Sequence, residues 1–140
     1  MRRSPYAVPG RRASARPTRS HAENEVYNAL VSHLPKGWYA WHSLRIRSEN
    51  GSDGEGDFVI VDPAQGMWSL EVKGGQILLQ DGHWFQNAES MKEAPREQGN
   101  RFGRKLIERL KAMGCCPPAW GVATCFPDTA FDRQPTNDDV

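Results

Sequence analysis

The chain has 140 residues, 38% of them hydrophobic and 25% charged, with a formal net charge of +1, 10 Pro and 13 Gly. That length builds one domain with its own core and excludes two. No apolar run approaches the roughly 18–20 residues of a membrane helix, and none follows the N-terminal arginines, so a soluble, cytoplasmic protein without a signal sequence is expected.

Residues 1–20 hold Arg2, Arg3, Arg11, Arg12, Arg16 and Arg19 and no acid, which leaves 12 basic against 17 acidic residues in the remainder. A basic, Pro- and Gly-rich arm on an acidic body reads as a disordered tail, either simply solvated or attracted to a polyanion. Pro5, Pro9, Gly10 and Pro17 would break the helix of a mitochondrial presequence.

The stretch "AENEVYNALVSHL" predicts a helix from Ala22 to Leu34, stopped by Pro35 and Gly37. At about 100° per residue, Val26, Tyr27, Leu30, Val31 and Leu34 lie within roughly 80° of Glu23, while Glu25 lies about 200° away. Glu23 is then either an acid set in an apolar stripe or a first-turn residue favoured by the helix dipole.

"WYAWHSLRI" (Trp38–Ile46) is rich in aromatic and branched residues and predicts a strand, followed by the polar loop "RSENGSDGEG". Two apolar strands come next, about Asp57–Val61 and Met67–Val72, and then a hairpin around Asp81-Gly82. A second helix is predicted from Glu93 or Pro95 to Met113, with Gly114 after its end, and a last strand over Ala119–Phe126. The domain is thus expected over 21–127, with a polar tail or linker over 128–140. The order α-β-β-β-β-β-α-β makes a mixed β-sheet flanked by helices, an α/β fold, the compact solution.

The second helix carries an apolar stripe of Phe102, Leu106, Leu110 and Met113, with Gln98 on its edge. Gln98 would either hydrogen-bond a phosphate or water, or simply be exposed. Arg101, Arg104, Lys105 and Lys111 are expected on the opposite, solvated side, away from any carboxylate site. His21, His33, His42 and His83 show no zinc-ligand spacing and are expected on the surface or in loops. Cys115, Cys116 and Cys125 are expected as buried reduced thiols.

Charge sits in the two apolar strands: Asp57 opens the first, and Glu71 with Lys73 lies in the second. If their hairpin is symmetric about Ala64, Val61 faces Met67, Val59 faces Ser69 and Asp57 faces Glu71. Alternation then puts Asp57, Glu71 and Lys73 on one face. Opposed residues are roughly 4.5–5.5 Å apart at Cβ, and two carboxylates that close do not both ionise in a dry site without a cation. Mg²⁺ or Mn²⁺, hard ions that prefer oxygen ligands, would relieve that cost. The ammonium of Lys73 would orient or deprotonate a water, or neutralise developing charge. The plainer alternative is a cross-strand ion cluster.

The segment "GEGDFVIVDPAQGMWSLEVKGGQI", followed by "DGHWFQN", resembles the nuclease-related domain (NERD) family of the restriction-endonuclease-like PD-(D/E)xK superfamily. The likeness extends from "AENEVYNAL" to "PREQGNRFGRKLIERL", about Ala22 to Phe126. It implies metal ligation by Asp57 and Glu71 and catalysis by Lys73, supported by Glu23 and by Gln98 of "P-x-x-Q". The implied activity is Mg²⁺- or Mn²⁺-dependent hydrolysis of DNA in processing or repair. The alternative is a non-catalytic nucleic-acid-binding or interaction module. A helicase or other DNA-processing module, fused or associated, is an implied partner. Two departures stand out: Gly56 precedes Asp57 where the superfamily has proline, and Gly99 and Gly103 would each weaken the second helix by about 1 kcal/mol relative to Ala. An acid/base pair such as a glycosidase's is disfavoured, because close carboxylates beside a lysine suit a metal better.

Overall fold

Residues 20–47 and 53–131 are described by the structure, a computed structural model. The basic arm over 1–19, residues 48–52 of the polar loop and the last part of the tail lie outside the described residues. In chain order the elements are α1 His21–His33, β1 Tyr39–Arg47, β2 Asp53–Asp62, β3 Gly66–Val72, β4 Ile77–Gln80, β5 His83–Gln86, β6 Glu89–Ser90, α2 Pro95–Ala112 and β7 Trp120–Cys125. No described helix is long and apolar enough to cross a membrane.

Four strands form the main sheet in the order β1-β2-β3-β7, and β4-β5-β6 form a smaller one. The first three strands are antiparallel, whereas β7 runs parallel to β3. A parallel neighbour requires a crossover, and here β4–β6 and α2 supply it. The two helices cover opposite faces of the main sheet. On one face Ala22 and Val26 of α1 pack with Phe58 and Val72. On the other, Phe102, Leu106 and Ile107 of α2 pack with Val59 and Met67. This is a mixed α/β architecture, and the β2–β3 register pairs Val61 with Met67 and Val59 with Ser69, as symmetry about Ala64 requires.

Local chemistry explains where the elements start and turn. The Ser20 side chain caps α1 by accepting from the Glu23 N–H at 3.4 Å, a cap the apolar periodicity did not reveal. Asp81 and Gly82 both have positive φ (51° and 76°), the requirement of a tight hairpin turn with mirror-image geometry. The polar loop is shorter than its composition suggests, because β2 begins at Asp53, paired with Arg47 of β1. Backbone pairing overrode a run of residues with poor strand propensity.

The pleat of β1 and β2 breaks at one point. Their ladder joins His42 to Phe58 and Leu44 to Gly56 but lacks the intervening pair, Ser43 with Asp57. Ser43 has φ 57°, unusual for a residue with a side chain. Before it, Ala40 and His42 share the α1 face; after it, Leu44 and Ile46 turn to the α2 face. Asp57 stands opposite this break.

The α2 face is built on absent side chains. A Cβ on Gly99 would lie 2.4 Å from Val122 Cγ1, and one on Gly103 would lie 2.4 Å from the Trp120 ring. One on Gly56 would strike the Phe102 ring, also at 2.4 Å, which explains why this chain tolerates glycine before Asp57. The helical cost of Gly99 and Gly103 is thus offset by close approach of α2 to β7. Gly103→Ala should therefore destabilise the protein by roughly 1–3 kcal/mol, despite its better helix propensity. Urea denaturation checks this, and a stabilised variant would contradict the packing.

Three expectations are corrected by position. Met113 is 64% exposed because α2 ends at Ala112, and Ile107 takes a core place instead. Cys115 and Cys116 are exposed, not buried, because they follow the turn at Gly114 beyond the reach of the stripe. The start of the presumed tail is tied to the domain. Gly75 N–H donates to Asp128 Oδ2 at 2.8 Å, Thr129 Oγ1 donates to the Gly75 carbonyl at 2.8 Å, and Phe131 lies tilted against Phe126, which itself stacks on Trp84.

Candidate active site

β3 is an interior strand, bonded to β2 on one side and β7 on the other, so a charge placed on it is covered. Glu71 is only 5% exposed. The β2–β3 ladder stops at the Phe58–Leu70 pair, while β3 continues along β7 with Glu71 beside Thr124 and Val72 beside Cys125. The Val72 N–H, released from the β2 backbone, donates to Asp57 Oδ2 at 2.8 Å. A carboxylate thereby replaces a backbone acceptor, which fixes Asp57 at the pleat break and beside Glu71.

The Glu71 carboxyl is raised from its ordinary 4.5 to about 8. Burial is the main cause and the Asp57 charge the second; Lys73 acts in the opposite direction, and Glu23 adds a smaller upward push. Near neutral pH Glu71 therefore holds a proton that an exposed glutamate would have lost.

Lys73 leaves β3 on the same face. Its backbone N–H donates to the Cys125 carbonyl at 3.0 Å, and its Nζ donates to Gln98 Oε1 at 2.7 Å. Gln98 Nε2 in turn donates to the Glu93 carbonyl at 3.2 Å, which fixes the amide's orientation. Asp57, Glu71, Lys73 and Gln98 share the wall of an open cleft of about 350 Å³.

Arg101 and Lys105 line the same cleft, which corrects the expectation that they face away from the carboxylates. The expectation took the centre of the apolar stripe as its reference. Measured from Gln98, Arg101 and Lys105 lie at about 300° and 340° around the helix, on the same side. Arg104 is exposed, as expected of a solvated face.

Glu23 is not in the cleft wall. It pairs through Oε2 with His42 Nε2 at 3.2 Å, and its influence on Glu71 is through space. His42, expected at the surface, is instead buried at 6% exposure, stacked on Phe58 and tilted against Tyr27. The signal for it was alternation, since His42 stands two residues from the buried Ala40 on the same strand face. Its Nδ1 finds no partner among the described residues.

The donor set suits a hard cation. Among the described residues no three His, Cys, Asp or Glu side chains gather as a cage, but Mg²⁺ keeps several waters and needs only one or two protein carboxylates. Asp57 and Glu71 offer oxygen alone, without thiolate or imidazole. The residues present therefore fit Mg²⁺ or Mn²⁺ held by Asp57 and Glu71.

No curated protein and no solved structure matches the chain. A family model does: that of the nuclease-related domain, over residues 18–125. That span runs from just before α1 to the end of β7 and takes in the whole cleft, so the chain belongs to the nuclease-related domain family.

Proposed function

We propose that this protein is a divalent-metal-dependent nuclease that hydrolyses phosphodiester bonds of DNA. One observation carries the reading: the buried Glu71 carboxyl lies close to the half-buried Asp57 carboxylate in one cleft, beside a lysine whose ammonium is held by Gln98.

Hydrolysis adds water oxygen to phosphorus and breaks one P–O ester bond, leaving a phosphate monoester and an alcohol. Bound Mg²⁺ or Mn²⁺ supplies Lewis acidity and a more acidic bound water. Asp57 and Glu71 contribute the negative charge that retains such an ion, and the Val72 N–H keeps the Asp57 carboxylate in place. Lys73 has three donor hydrogens; Gln98 accepts one, which aims the others at an attacking water or a phosphate oxygen on which charge develops. Gln98 acts through Lys73 as a positioning residue, because Glu93 fixes its amide. Glu23, held by His42, adds negative potential from the α1 side.

Metal titration tests the site without requiring the right substrate. Wild type should bind Mg²⁺ or Mn²⁺ in calorimetry, and Asp57→Asn should weaken binding at least about tenfold. Asparagine can still accept the Val72 N–H, so the fold should persist. Single- and double-stranded DNA should be cut with either ion and not with EDTA. Cleavage that survives EDTA would overturn the reading, and binding without cleavage would identify a non-catalytic module.

A further inference from the structure

Arg101 and Lys105 stand one helical turn apart in the wall that holds Lys73 and Gln98, and the hydrolysis described above uses neither. Four residues at a rise of 1.5 Å set them about 6 Å apart along the axis, on the order of the step between consecutive phosphates of a nucleic-acid strand. The Arg101 side chain is 64% exposed and pairs with the Glu93 carboxylate at 3.0 Å. Lys105 lies across Gly54, where a Cβ would come within 3.1 Å of its Cδ, so the missing side chain lets the lysine stem rest on β2 beside the cleft.

Besides Asp57 and Glu71, the acid in this wall is Glu55. Glu55 accepts from Ser43 Oγ and pairs with Arg45 at 3.4 Å. The Arg101 end of its pair with Glu93 faces solvent, at 64% exposure against 29% for Glu93, and a guanidinium grips a phosphate with two parallel hydrogen bonds. The guanidinium is therefore open to a phosphate from the cleft side. Glu93 is also the residue whose carbonyl holds the Gln98 amide, so the strand would be seated beside the lysine clamp.

We infer that Arg101 and Lys105 form a phosphate rail that holds a nucleic-acid strand by its backbone, next to the reacting phosphodiester. This rests on the nuclease reading for the neighbouring chemistry, and the rail is read through binding alone. Contact to phosphates without base edges implies low sequence preference.

The test is fluorescence anisotropy with a labelled single strand and a labelled duplex, using the full chain in EDTA over a series of salt concentrations. Each phosphate contact contributes about 0.9 to the slope of log K against log salt on duplex and about 0.7 on single strands. Arg101→Ala/Lys105→Ala should lower the slope by about 1.8 or 1.4 respectively, with a binding loss of tenfold or more at low salt. Arg104→Ala/Lys111→Ala removes the same charge from exposed positions outside the cleft wall and should leave the slope near that of wild type. An unchanged slope in the first variant, an equal loss in both, or no measurable salt-dependent binding by wild type overturns the rail. Absence of metal-dependent cleavage with the rail's slope intact would instead count against hydrolysis alone.

Discussion

Lys73→Ala should reduce DNA cleavage by at least about a hundred-fold, the scale of losing a positioned proton donor or charge stabiliser, while the fold survives. The strand contact at this position belongs to the backbone, since the Lys73 N–H bonds the Cys125 carbonyl, and alanine keeps it. Gln98 loses the partner of its Oε1 but retains the Nε2 bond to Glu93. Because the ammonium is asked to act on charge that appears only as the ester breaks, the loss should fall on kcat rather than KM. Lys73→Arg should restore little, because a planar fork replaces a compact three-donor head. Gln98→Ala should sit between wild type and Lys73→Ala, since it frees the lysine without removing it. Equal cleavage by Lys73→Ala and wild type would assign the activity to something other than this cleft.

The register of the hairpin was legible because strand periodicity is rigid, but the ladder ends one pair short of Asp57 and Glu71, and the Val72 N–H bond to Asp57 sets their neighbourhood instead. Once a hairpin is centred on Ala64, the side of every residue follows, and the Phe58–Leu70 to Val61–Met67 ladder has that register. Gln98 was legible for a similar reason, through its place on the edge of a helical stripe. What escaped was whatever depended on a local break or on a choice of reference angle. The Ser43 conformation reverses the facing of β1 midway, and no propensity marks it. His42 read as a generic polar residue because burial with Glu23 depends on α1 docking against that strand, a long-range event. Arg101 and Lys105 were misplaced although helical geometry alone would have sufficed. The glycines at 99 and 103 looked like helix defects until the Val122 and Trp120 side chains filled their places.

In the absence of metal, stability should fall as pH rises from about 5 to about 8. The Glu71 carboxyl is raised from 4.5 to about 8 in the folded state. Between those limits the native chain holds a proton that the unfolded chain has released. The stabilisation is fully present below the unfolded value and is lost as pH climbs through the folded one. A single such proton changes stability by about 1.4 kcal/mol per pH unit within the window, or roughly 4–6 °C in Tm for a domain of this size. Metal should reverse the sign. Binding requires the deprotonated pair, so saturating Mg²⁺ or Mn²⁺ should stabilise little near pH 5 and most near pH 8, with a gain of about 2.7 kcal/mol at a hundred times Kd. Glu71→Gln separates the causes, because it keeps the shape and removes the titration. That variant should show a flatter Tm against pH without metal and little response when metal is added. A wild-type Tm that is flat or rising between pH 5 and 8 in EDTA would mean that burial does not hold a proton on Glu71. Equal metal stabilisation of wild type and Glu71→Gln would place the ion somewhere other than between these two strands.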